Sequence, residues 1–212
     1  MVVKGKKQER GEATREALTE AARRLFGQQG FNATSLDEIV NEAGVTKGAL
    51  YHHFSDKEEL FMAVAESVRR DTTVKLQDLF LLPDPFAALE AGCMAIFDAY
   101  LDPAVRQIVL TDARSVLSAA AYRELQSRDE SAFVRATLRR AMREGVIETQ
   151  PLRPLAIMLT GAIGEACTLI AGAEDPTAAR EEVGQVLTRL LAGLRPPASP
   201  RNARKLSAAR GQ

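Results

Sequence analysis

The side chains best equipped for chemistry crowd into one stretch, Thr34–Lys57, which reads TSLDEIVNEAGVTKGALYHHFSDK. It holds both histidines of the chain, His52 and His53, with Lys47, Lys57, Tyr51 and hydroxyls at Thr34, Ser35 and Thr46. Adjacent histidines have no ligand spacing to either cysteine, Cys93 or Cys167, so neither a metal centre nor a cofactor is expected. The sequence has no glycine-rich phosphate loop and no nucleophile elbow. Paired acids such as Glu58-Glu59 and Glu181-Glu182 are i,i+1 neighbours that diverge around a helix and read as solvated surface. No catalytic residue is assigned, and an enzyme is not expected. Ammonium, hydroxyl, phenol and imidazole groups together suit a different task, which is holding phosphates and touching base edges.

The flanking residues say how such groups would be held. Ser35-Leu36-Asp37-Glu38 fits a capping box at a helix start, and Ser55-Asp56-Lys57-Glu58 repeats the signature at the next long helix. Between them lie two short helices joined by Ala43-Gly44-Val45, with Thr46 able to cap the second. So short a turn makes the helices cross steeply, and Gly44 supplies the left-handed backbone it needs. Ile39, Val45 and Leu50 would pin both helices on an earlier one through Leu25 and Phe26. This is helix-turn-helix geometry, whose second helix enters the major groove of double-stranded DNA. Lys47, Gly48, Ala49, Tyr51 and His52 are expected to face outward there. Gly48 and Ala49 are small enough for close entry, and Lys47 and Lys57 would meet phosphates. Thr34 and Ser35 would offer hydroxyls and backbone N–H groups to a phosphate. Leu50 and Phe54 are expected in the core, with His53 turned largely towards the protein.

Over the whole chain strand signals are almost absent, and apolar residues recur three and four apart. One stripe, Leu18, Ala21, Ala22, Leu25 and Phe26, stops at Gly30. A long stripe from Leu60 stops before Pro83 and Pro85. Beyond it come stripes through Phe86–Tyr100 and Val105–Val109, then Val116–Met142 with an interruption near Asp129. The last two run from Pro154 to Gly172 and from Val183 to Leu194. The expected fold is all-α: three short helices carrying the helix-turn-helix, then a larger bundle of about six, so about nine helices in total. The 212 residues are 46% apolar and 26% charged, ordinary for a globular protein. The net charge of zero is unevenly spread: residues 1–15 carry +3, residues from Arg195 onward +5, and the remainder −8. Basic ends on an acidic body suggest an anionic partner such as nucleic acid. Met1–Arg10 is polar and basic without an apolar leader, and Leu152–Gly172 carries Arg153 and Glu165, so a cytoplasmic chain without a membrane span is expected. Cys93 and Cys167 read as small core hydrophobes.

Residues Thr14–Val64 resemble the TetR family of bacterial transcriptional regulators. The resemblance is carried by Ala21-Ala22, Leu25-Phe26, Gly30-Phe31, Thr34, Ile39, Ala43-Gly44-Val45 and Lys47-Gly48. It continues through Leu50-Tyr51, His53-Phe54, Lys57 and Leu60, in order over about fifty residues. One departure is Val40, where such motifs usually place a small residue. The rest looks like the family's all-α C-terminal half, and Asp102–Arg114 resembles one of its subgroups.

The resemblance implies a homodimeric repressor that binds a palindromic operator and is released by a small-molecule effector. Its recognition helices would stand about 34–36 Å apart. The domains would be a flexible basic arm at 1–15, the DNA-binding domain at 16–60, an effector-binding and dimerisation domain at 61–194, and a disordered tail at 195–212. The helix Pro154–Gly172 is apolar on both sides and must be buried on both sides. Its own bundle could cover it. The resemblance instead pairs its Gly161, Ala162 and Gly164, and Val186 and Leu190 of the last helix, with their two-fold mates in a four-helix dimer interface. Met94, Phe97, Tyr100, Thr111, Arg114, Met158 and Cys167 mix apolar bulk with a few polar tips and are the candidate effector lining. An effector there would be largely apolar, with one hydrogen-bonding or anionic group for Arg114 or Tyr100. The alternative is a nucleoid-type DNA-binding protein without effector control.

Overall fold

The computed structural model describes residues 6–127 and 130–196. Among these are ten helices and no strand. They are α1 (Lys6–Ala33), α2 (Leu36–Ala43), α3 (Lys47–His53), α4 (Lys57–Phe80) and α5 (Pro85–Ala99). Next come α6 (103–116, π-helical over Arg106–Asp112), α7 (Ala119–Ser127), α8 (Glu130–Arg143), α9 (Leu152–Gly172) and α10 (Pro176–Ala192). The all-α expectation therefore stands, with one more helix than expected. The stripe expected over Val116–Met142, with an interruption near Asp129, is divided between α7, ending at Ser127, and α8, starting at Glu130, which gives the added helix. Its first residue, Val116, closes α6 instead, because Leu117 is extended and the Ser118 hydroxyl then accepts from Ala121 N–H in α7. The tail expected at 195–212 lies outside the described residues except for 195 and 196.

Two further expectations change. Residues 6–15, expected as a flexible arm, are the first turns of α1. They have something to pack on: the Arg15 guanidinium lies 5.0 Å from the centre of the Phe54 ring, and Gly11 sits beside the His53 ring. The domain boundary expected at 60/61 also differs. The chain falls into two compact units, one drawn from Met1–Val74 and Asp98–Asp129, the other from Lys75–Phe97 and Glu130–Gln212. Helices α6 and α7 thus belong with the helix-turn-helix. Gly27 of α1 lets α6 approach so closely that a side chain there would strike Ala104.

The core of the first unit is Leu18, Ala21, Ala22 and Phe26 from α1, Ile39 from α2, Leu50 from α3, and Leu60, Phe61 and Val64 from α4. Phe61 meets the rings of Phe26 and Phe31 edge-on at 5.4 and 5.2 Å, a geometry that aromatic quadrupoles favour. In the second unit Leu89, Cys93, Ile96 and Phe97 of α5 are buried, as are Val134 and Leu138 of α8, Ile163, Cys167 and Ile170 of α9, and Leu187 and Leu191 of α10. Phe133 fits over Gly92 so tightly that a Cβ there would lie 2.2 Å from its ring. Arg140 donates to the carbonyls of Phe80, Leu82 and Pro83, satisfying acceptors at and just beyond the C-terminal end of α4. The two cysteines are buried and form no disulfide; burial pushes the Cys93 thiol up to about 12, as suits a packing residue.

Helix α9 is long and apolar enough, by length and composition, to cross a membrane. One stripe of it, Ala156, Leu159, Ile163, Cys167 and Ile170, is buried in its own unit. The opposite side is not covered: Ile157 and Met158 are 61% and 73% exposed, and Leu190 of α10 is 61% exposed.

Candidate nucleic-acid interface

Each end of the two short helices is closed by local chemistry. Ser35 Oγ accepts from Glu38 N–H at 3.2 Å, and Glu38 Oε2 accepts from Ser35 N–H at 2.7 Å and from its hydroxyl at 2.8 Å. This reciprocal box satisfies donors that a helix start would otherwise leave open. Glu38 is held below the usual carboxylate range, chiefly by the Ser35 backbone N–H. Helix α2 ends at Gly44, whose φ of 65° lies in the left-handed region, and the Gly44 and Val45 N–H groups return to Asn41 and Val40 carbonyls. Val40 itself is buried. Two residues later Thr46 Oγ1 accepts from Ala49 N–H at 3.2 Å and starts α3. Leu50 and Phe54 are sunk in the core, so the helix can present only its other side.

That side carries Lys47, Gly48, Tyr51 and His52, all exposed, with Thr46 exposed at its start and Ala49 half-buried. Tyr51 is 55% exposed, so its ring and hydroxyl can stack or hydrogen-bond in a groove. His53 is half-buried and tilts against His52 with ring centres 5.1 Å apart. These residues are therefore brought together as read from the sequence. The phosphate contacts expected around them need correction.

Thr34 is 1% exposed; its hydroxyl donates to Gly30 O at 2.8 Å and accepts from Gln29 Nε2. It has no hydrogen left for a phosphate. Ser35 is exposed, but both its donors are already bonded to Glu38, so a phosphate would have to displace that carboxylate. Lys47 is clasped by Asp37 of α2, with Nζ 2.6 Å from Oδ1 and 2.9 Å from Oδ2, and hydrogen bonding to Asp37 raises its pKa. Lys57 is half-buried, with Nζ 4.2 Å from the centre of the Phe31 ring, and burial pulls its pKa down against the pull of Asp112 and Glu38. Both lysines are ordered by the protein itself, and sequence reasoning missed Asp37 as the partner. Its position ten residues before Lys47 is uninformative until the turn folds α3 back beside α2.

The other candidate residues divide between the units. Met94, Phe97, Met158 and Cys167 lie in the second, and Tyr100, Thr111 and Arg114 in the first. Phe97, Tyr100 and Cys167 are buried, and Met94 is half-buried with its sulfur against Gly184. Thr111, Arg114 and Met158 face outward instead of lining an interior; Arg114 Nε donates to the Tyr122 hydroxyl at 3.1 Å. The π-helical turn ahead of Thr111 shifts its phase by an extra residue, which a 3.6-residue stripe does not anticipate. In the second unit a cavity of about 440 Å³ is lined by Phe97, Ala162, Glu165, Leu169, Val186 and Leu190, among others. Ala162, Val186 and Leu190, expected at a dimer interface, thus share one apolar depression. Gly161 and Gly164 are exposed beside it, and a Cβ at either would meet nothing within 4 Å.

Comparison with known proteins gives two family matches. Residues 18–64 match the family of bacterial regulatory proteins called the tetR family, and residues 86–194 match the tetracyclin repressor-like C-terminal domain. A solved TetR-family transcriptional regulator from Pectobacterium atrosepticum is 31% identical, with a TM-score of 0.76 over 90% of this chain and 98% of that one. The HTH-type transcriptional repressor BepR of Brucella suis biovar 1 is 36% identical over 100 residues, covering 46% of this chain and 48% of BepR. The HTH-type transcriptional regulator AcrR of Shigella flexneri is 48% identical over 61 residues, covering 29% of this chain and 28% of AcrR. The chain thus aligns with about half the length of these curated relatives, or less.

Proposed function

The chain belongs to the tetR family of bacterial regulatory proteins, and on that premise we propose that it is a cytoplasmic transcriptional repressor acting on a palindromic DNA operator as a homodimer. The observation that carries this reading is the outward face of α3, where Tyr51 and His52 stand exposed beside Gly48 on a helix capped at both ends. Thr46 and Lys47 flank them, and Lys57 and Ser35 reach phosphates only by giving up Phe31 and Glu38. The two-helix apolar face of α9 and α10 supports the dimer, since among the described residues nothing covers Ile157, Met158 and Leu190. A small, largely apolar effector is the proposed release signal, a part supported by the match of residues 86–194 to the tetracyclin repressor-like C-terminal domain.

Selection of bound DNA from a random pool tests the reading. A repressor prefers its selected site over random DNA by ~10³ or more, whereas a nucleoid-type protein shows a ratio near unity. With the site in hand, apolar compounds that raise the melting temperature are tested for operator release, which requires ~1–3 kcal/mol of preference for the DNA-incompetent state.

Gly48 separates folding from binding. A Cβ there has room, the nearest atom being Thr46 Oγ1 at 3.9 Å, so the protein itself tolerates alanine. Gly48→Ala is expected to stabilise α3 by up to ~1 kcal/mol through helix propensity while weakening operator binding, because the new methyl stands between the helix and the groove. Thermal melts and fluorescence anisotropy read the two effects separately. Unchanged affinity would mean that α3 does not approach DNA closely at this turn.

A further inference from the structure

Helix α1 does not run smoothly to Ala33. At Gly30 the backbone turns to φ 80°, ψ 166°, which interrupts the helical ladder five residues before the cap of α2. The N–H just beyond the break, on Phe31, is taken from outside: Asp112 Oδ2 accepts it at 2.9 Å. Asp112 is only 6% exposed, and its other oxygen accepts from Gln107 Nε2 at 3.0 Å. Both residues belong to the π-helical stretch Arg106–Asp112, and a π-turn commonly marks a place where a helix aims a side chain at a function. The corner is tight. A Cβ on Gly30 would lie 3.0 Å from Gln107 Nε2, and from within the corner the Thr34 hydroxyl holds the Gly30 carbonyl. Phe31 in turn carries the Lys57 ammonium on its ring and packs on Phe61.

We propose that Asp112 is a positioning residue for operator recognition: its carboxylate fixes the Gly30–Phe31 corner and so sets where α2 and α3 begin. It touches no DNA. It acts because the chain from Phe31 to the Ser35 cap has few residues in which to absorb an error, so a displaced Phe31 carries α2 with it. A buried carboxylate that accepts a backbone N–H in this way contributes more than a neutral hydrogen bond and leaves that N–H unsatisfied when removed. The inference rests on the operator-binding reading above and adds a residue to it, from a segment that sequence alone places in the effector half.

The test uses the full-length protein and compares the selected operator with random DNA of equal length. A direct phosphate contact supports both kinds of binding, and a partly unfolded population loses both in proportion. Misplacement of α3 instead lowers operator affinity and spares random DNA, which binds through charge. Asp112→Ala is expected to lose about tenfold or more in operator affinity with random-DNA affinity and the salt slope unchanged. Asp112→Asn keeps an oxygen for Phe31 N–H and is expected to stay within about threefold of wild type, once Gln107 turns its amide. If Asp112→Ala fails to fold, Gln107→Ala carries the test, with a smaller loss in the same ratio. Wild-type operator affinity in Asp112→Ala, or in Gln107→Ala where that variant carries the test, overturns the proposal. Equal losses on operator and random DNA overturn it too. A wild-type chain that selects no DNA site removes the operator reading itself, a result visible before any variant is made.

Discussion

Replacing Lys47, Tyr51 and His52 together with alanine is expected to remove discrimination between operator and random DNA, leaving helix content and oligomeric mass unchanged. Tyr51 and His52 have no core to lose: both are exposed, and Leu50 and Phe54 hold α3 without them. Each base contact is worth ~1–3 kcal/mol, so losing two takes most of a typical specificity ratio. Lys47 behaves differently from an ordinary phosphate contact because Asp37 shares its charge. Removing the lysine alone uncovers a carboxylate at the DNA face, and the loss should exceed that of one phosphate contact. Asp37→Asn should do the reverse, tightening binding to all sequences and steepening the salt slope by about one unit as Lys47 becomes available. Wild-type affinity of the triple variant for its selected site would mean that α3 is not the recognition helix.

Glutamate at position 162 or 164 is expected to split the dimer and with it operator binding. Both residues are exposed in the single chain, and Gly164 has open space beyond its Cα, so the fold itself should accept the side chain. A second copy covering the face would instead bury an unpaired charge among Ile157, Leu169, Val186 and Leu190. The cost of such a charge is ~3–5 kcal/mol, and it enters once from each subunit. Sedimentation should report half the wild-type mass with helix content unchanged, and operator affinity should fall by at least two orders of magnitude, since one recognition helix reads only a half-site. A wild-type protein that sediments as a monomer at micromolar concentration defeats the dimer model outright.

Local rules were enough for the helix-turn-helix. Ser35 with Glu38, Gly44 in the left-handed region and Thr46 at the start of α3 act within a few residues of one another, and their geometry follows from residue type. The outward set Lys47, Gly48, Tyr51 and His52 was legible for the same reason, because once Leu50 and Phe54 are buried a two-turn helix has only one other side. The all-α class followed from apolar spacing. Tertiary structure decided what each polar group touches. Thr34 and Ser35 looked available to phosphate until Gly30 O and Glu38 took their hydrogens, and both lysines were claimed by groups that only folding brings near. The largest difference is Asp112. It stands eighty-one residues from the N–H it accepts, and it reaches that N–H through a π-turn that alters helical phase. Periodicity describes one helix against an unspecified apolar surface; which residue meets which across two helices depends on crossing, register and a one-residue bulge, and those are settled by packing among elements far apart in the chain.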